Sequence, residues 1–178
     1  MKFLKFVLIG LLFAAPGEIL IRRQLHQGVA DYIKTMLIYV FWIAIIIWPG
    51  IKLIAKFFKK SFSQTAAGYI IFGFLGLMVE WFLINNSPWA HPDASQIGMF
   101  TFWTSLFMAP TIILSAESFV GRLKSQLLKY FSALSVIYLL LALGGGNNLF
   151  GALIIFTYGS WLLNYFYLKY LYLLKHGQ

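Results

Sequence analysis

The chain has no cysteine. Disulfides, thiolate metal ligands and a cysteine nucleophile are therefore excluded, while the compartment stays open. Acid is nearly as scarce, with 5 Asp and Glu against 14 Lys and Arg in 178 residues. Charged residues together reach 11%, less than half the ~25% of an ordinary soluble domain. There are 3 His, and no HExxH, GxSxG or metal-spaced His/Asp set occurs. Neither a metal centre nor a cofactor is expected. The run Gly144-Gly145-Gly146-Asn147-Asn148 is too short, and lacks the preceding strand, to be a phosphate loop.

What the chain does have is apolar surface. Hydrophobic residues make up 61% and aromatics 19%, with 18 Phe, 10 Tyr and 6 Trp. A globule of this size has too little interior to hide so much, and a bilayer accommodates it. A transmembrane β-barrel needs alternating segments of about ten residues. The apolar runs here are continuous and mostly longer, which favours helices. The net charge of +9 does not imply a nucleic-acid partner. Its basic residues stand at the ends of apolar runs rather than on one face.

Six hydrophobic segments are read: Phe6–Ile21, Tyr32–Trp48, Ala66–Ile84, Ile97–Ser115, Leu127–Leu143 and Leu149–Leu174. The expected architecture is all-α, a single polytopic membrane domain over residues 1–178. The first two segments fall short of the ~20 residues that span hydrocarbon, which implies tilt or local thinning. Pro16-Gly17 sits inside the first and interrupts or kinks it. Pro49-Gly50 stops or kinks the second, and Pro110 is expected to kink the fourth. The start resembles a signal peptide, but Phe13 stands where a small residue is wanted and Pro16 follows the candidate cut, so no cleavage is expected.

The basic residues assign sides. Lys2, Lys5, Lys52, Lys56, Lys59, Lys60, Arg122, Lys124, Lys129, Lys169 and Lys175 fall on one side of a six-span arrangement, and Arg22, Arg23 and Lys34 on the other. The positive-inside rule then places both termini in the cytoplasm. A five-span arrangement loses this asymmetry. The expected location is the plasma (inner) membrane.

The unusual polar residues gather on the outer side. Glu80 lies in a span with no other charge, and an ionisable group at that depth needs a partner or a purpose. Gly10, Ala14 and Glu18 recur every four residues, with Arg22 next. Gly73, Gly76 and Glu80 recur three and four apart. Small residues mark close helix approach, so both glutamates are expected to face the bundle interior. Glu18 reads either as an i,i+4 partner of Arg22 or as part of a site. Glu80 reads as a site residue, or as a buried hydrogen bond or ion pair that locks helix packing, Arg22 or Arg23 being candidate partners. Arg22 and Arg23 read as headgroup anchors, or as a guanidinium fork for phosphate or carboxylate. Asn86 joins Glu18, Arg22, Arg23 and Glu80 as the ligand-binding candidates. Glu80, His91 and Asp93 are the catalytic candidates. Trp81 and Trp89 read as interfacial belt residues.

Three functions fit these residues. The first is a binding or transport protein with an outward polar site for a small or lipid-like ligand bearing an anionic group. The second is a membrane-embedded enzyme acting on a lipid or isoprenoid at the outer leaflet, with Glu80 or His91 as general acid or base. The third is a structural subunit in which the charges only pair with each other. Expected partners are membrane lipids, the ligand itself, and a lateral membrane protein or second copy. No complete catalytic set can be assembled, which favours the first.

Overall fold

The computed structural model describes residues 2–84, 86–89, 96–144 and 149–177. Within them the chain forms six long helices: α1 (Lys2–Gln24), α2 (Val29–Phe57), α3 (Ser61–Phe82), α4 (Gln96–Leu114), α5 (Gly121–Leu143) and α6 (Leu149–His176). A short 3₁₀ turn, Ser118–Val120, leads into α5. The fold is an all-α membrane bundle. Among the described residues, α1 to α5 are long and apolar enough to cross a membrane. α6 has 28 residues, or ~42 Å of helix, against ~30 Å of hydrocarbon.

Successive helices alternate in direction. Lys5 of α1, Ile54 of α2, Ser61 of α3, Leu114 of α4 and Leu174 of α6 all line one cavity. The start of α1, the end of α2, the start of α3 and the ends of α4 and α6 therefore meet at one end of the bundle. This is the end where most lysines lie in sequence.

α4 is the central helix, packing against α1, α3 and α6. Every residue from Trp103 to Pro110 is buried. A helix enclosed on all sides must satisfy its own polar groups. The Thr101 and Ser105 hydroxyls donate to the backbone carbonyls of Ile97 and Thr101 at 2.9 and 2.8 Å. Ser105 also meets the Tyr167 hydroxyl of α6 at 2.6 Å, and Tyr69 of α3 donates to Asn164 of α6 at 2.7 Å. Such side-chain bonds join helices where lipid offers no hydrophobic drive.

The spans are longer than the sequence implies. α1 runs 23 residues straight through Pro16-Gly17. α2 runs 29 residues and continues past Pro49-Gly50 to Phe57. Neither helix is short, so no thinning is required. The reason in α2 is a π turn over Ile43–Ile47, where the Trp48 N–H reaches back to the Ile43 carbonyl. This wider turn precedes Pro49, relaxing the ladder that a proline ring would otherwise clash with. Gly50 then lets the Phe72 ring of α3 lie against the α2 backbone; a Cβ there would stand 2.7 Å from that ring.

Pro110 also leaves its helix unbroken. Its missing N–H frees the Leu106 carbonyl four residues earlier. Thr111 donates to the Phe107 carbonyl instead, at 2.6 Å. The freed oxygen is covered by Gly10 of α1, where a Cβ would come within 3.0 Å of it. Glycine at this point allows two backbones to close over a carbonyl that has no helical partner.

The α3 glycines do the same against α4. A Cβ on Gly73 would stand 2.3 Å from the Phe100 ring, and one on Gly76 would stand 2.2 Å from Trp103 Cγ. Gly76→Ala is expected to displace Trp103 and lower stability by about 1–3 kcal/mol, read as the thermal midpoint of the purified protein in detergent. Gly28→Ala, at a position with nothing within 4 Å, should leave the midpoint unchanged. Equal midpoints for wild type and Gly76→Ala would refute the close α3–α4 approach.

Candidate functional site

The first cluster is built on the last turns of α1. Gly10, Ala14 and Glu18 are all buried on one stripe, as their spacing predicts. Glu18 is 5% exposed. Its Oε1 accepts from Arg22 Nε at 2.5 Å, and its Oε2 accepts from the Tyr39 hydroxyl of α2 at 2.9 Å. The carboxylate is thus held by one charged donor and one neutral donor, as a buried anion requires. The Arg22 side chain is 27% exposed, and its Nη1 also donates to the Gln27 side chain at 2.5 Å.

Local chain geometry places that arginine. α1 ends in a Schellman arrangement: Gln27 N–H donates to the Arg22 carbonyl at 2.9 Å and His26 N–H to Arg23 at 3.1 Å. His26 takes the left-handed position, φ 55°, that glycine usually fills. The turn brings Gln27 back over Arg22. Arg22 and Arg23 lie in the last turn of α1, where the helix dipole favours cations. α2 then begins at once, with the Asp31 carboxylate accepting from the Gly28 N–H at 3.2 Å.

The second cluster joins α3 and α4. Glu80, half-buried, accepts from Trp103 Nε1 and from Asn86 Nδ2, both at 2.9 Å. Asn86 also donates its backbone N–H to the Glu80 carbonyl at 2.8 Å. Trp81 Nε1 donates to Gln96 Oε1 at 2.7 Å, and Gln96 Nε2 reaches the Asn86 carbonyl at 3.3 Å. Asn86, four residues beyond α3, is therefore tied down beside Glu80. Trp81 and Trp89 meet at 5.6 Å between ring centroids.

Aromatic contacts link the two clusters. Trp103, whose N–H serves Glu80, meets the ring of Tyr39, whose hydroxyl serves Glu18, edge-on at 5.7 Å. Trp42 meets Trp103 at 4.9 Å. The Trp42 Nε1 is buried and has no hydrogen-bond partner among the described residues. Leaving such a donor unpaired costs about 1–3 kcal/mol.

Comparison with protein families, curated proteins and solved structures gives no match. The site must be read on its own chemistry.

Of the ligand-binding candidates, the structure brings Glu18 together with Arg22, and Glu80 together with Asn86. Glu80 pairs with neither Arg22 nor Arg23. Arg23 is exposed. The catalytic candidates His91 and Asp93 lie outside the described residues. Among the described residues, no three His, Cys, Asp or Glu converge as a metal site would need. Tyr39, Trp103 and Trp42 were not foreseen. Tyr39 follows the buried Thr35 by four residues, but with so many aromatics nothing in the sequence distinguishes it.

The arrangement offers acceptors already in use and donors still available. Two of the five N–H donors of Arg22 are engaged among the described residues. The guanidinium fork suits an anionic acceptor. The pairing itself is testable by double-mutant cycles. Glu18→Gln with Tyr39→Phe, and Glu80→Gln with Trp103→Phe, should each show coupling of about 0.5–1.5 kcal/mol in unfolding from micelles. The crossed cycle, Tyr39→Phe with Glu80→Gln, should show close to none. Equal coupling in all three would mean that the two clusters are one.

Proposed function

We propose that the chain is an integral membrane binding or transport protein with an outward-facing polar site. Its ligand is small or lipid-like and carries an anionic group. Arg22 carries this reading: a guanidinium fixed by a buried carboxylate, partly open to the outside, with donors to spare. Glu18 and Tyr39 fix its direction, so little side-chain entropy remains to be lost when an anion binds. Arg23 adds charge beside it. Glu80 of α3, with Asn86 beyond that helix, would supply further polar groups to the site. The distribution of Lys and Arg supports an outer position for this cluster and cytoplasmic termini, and the membrane we propose is the plasma (inner) membrane.

A structural-subunit reading has its own support. Glu18 and Glu80 each already hold two donors, as charges that only stabilise packing would. An enzymatic reading rests on Glu80, His91 and Asp93, of which His91 and Asp93 lie outside the described residues.

Thermal-shift titration of the purified protein with phenyl phosphate and farnesyl diphosphate separates these readings. A saturable rise in melting temperature is expected. Arg22→Gln should weaken the affinity about tenfold or more, and Arg22→Lys by less, since charge is kept and the fork lost. If neither anion stabilises wild type, and Arg22→Gln simply lowers its melting temperature, the structural reading replaces this one.

A further inference from the structure

A cavity of about 610 Å³ opens at the opposite end of the bundle from the Arg22 cluster. It has the volume of a small-molecule site. One wall is apolar, with Phe6, Phe107 and Pro110; the rim carries Lys2, Lys5 and Glu117. Polar and apolar surfaces thus meet in one cavity, as they do in a lipid where the headgroup joins its chains.

The electrostatics of this end call for an anion. α1 and α3 both start here, and neither has an acid in its first turn. Helix starts carry partial positive charge. Here they carry lysines as well: Lys2 and Lys5 on α1, and Lys59 and Lys60 just before α3. The N-cap residue Lys60 gives α3 no side-chain cap. The cavity therefore lies at two positive helix ends and is lined by two ammonium groups, Lys2 and Lys5; among the described residues Glu117 is the one acid lining it.

We propose that this cavity binds one anionic phospholipid of the bilayer. Its phosphate sits on Lys2 and Lys5, and the upper part of an acyl chain lies against Phe6, Phe107 and Pro110. Glu117 accepts a hydrogen bond from a headgroup hydroxyl, which suits a phosphoglycerol headgroup. A soluble phosphate ester shares the charge but leaves the apolar wall bare. Lysine near a lipid surface attracts anionic headgroups generally; what distinguishes this site is that Lys2 and Lys5 line the cavity and Lys56 and Lys59 do not.

The test is lipid retention by the full chain in neutral detergent, read by native mass spectrometry with dioleoylphosphatidylglycerol, dioleoylphosphatidylcholine or glycerol 3-phosphate added. One phosphatidylglycerol should be retained in preference to phosphatidylcholine. Lys2→Gln with Lys5→Gln should weaken retention about tenfold, and Lys56→Gln with Lys59→Gln should not. Ser61→Trp, at the exposed rim, should block retention while both lysines remain. The proposal is overturned if the two lysine pairs have equal effects, if Ser61→Trp retains lipid like wild type, or if glycerol 3-phosphate binds as tightly as the lipid.

Discussion

A carboxylate cannot stand bare in hydrocarbon, and this bundle holds two of them near one end. Each needs donors from another helix or turn, and those needs set much of the packing. Glu18 ties α1 to α2 through Tyr39, while Glu80 ties α3 to α4 through Trp103. The Tyr39–Trp103 edge contact then joins the two helix pairs. Desolvation offsets much of what such pairs gain in stability. Their effect on geometry is less ambiguous, since wrong rotations of α1 or α3 leave a charge facing lipid.

Glycine makes those approaches possible. Gly73 and Gly76 let α4 lie close to α3, and Gly10 lets α1 close over the carbonyl released by Pro110. α4 is enclosed as a result, and it is where the two ends of the molecule meet. Trp103 serves the polar cluster; Phe107, one turn on, lines the cavity at the other end. Between them lies dry packing around Leu106, Phe72, Ile43 and Ile47. The protein thus has the Glu18–Arg22 and Glu80 clusters at one end, the lysine-lined cavity at the other, and an apolar middle.

The helical bundle was legible because a bilayer imposes one pattern: continuous apolar runs with basic ends. The inward faces of Glu18 and Glu80 were legible from glycine and alanine spacing, because close approach and polar burial both need the interior side. The continuity of α2 was not legible. Pro49-Gly50 reads as a stop, and the π turn that accommodates it leaves no local mark in the run Ile43–Ile47. The partners of the glutamates were hidden for another reason. Arg22, four residues from Glu18, is visible in one dimension, whereas Trp103 and Tyr39 depend on which helices become neighbours. Of the two packing readings of Glu80, a buried hydrogen bond or an ion pair with an arginine, the structure has the first, from an indole and an amide.

Each glutamate has one partner close in sequence and one far. Arg22 follows Glu18 by four residues and Asn86 follows Glu80 by six, whereas Tyr39 and Trp103 follow them by 21 and 23. The near partners differ in kind: Glu18 has a cation and Glu80 only an amide. Glu80 therefore leans harder on the indole of the next helix than Glu18 does on its tyrosine, and parting α3 from α4 in lipid leaves the less compensated of the two charges.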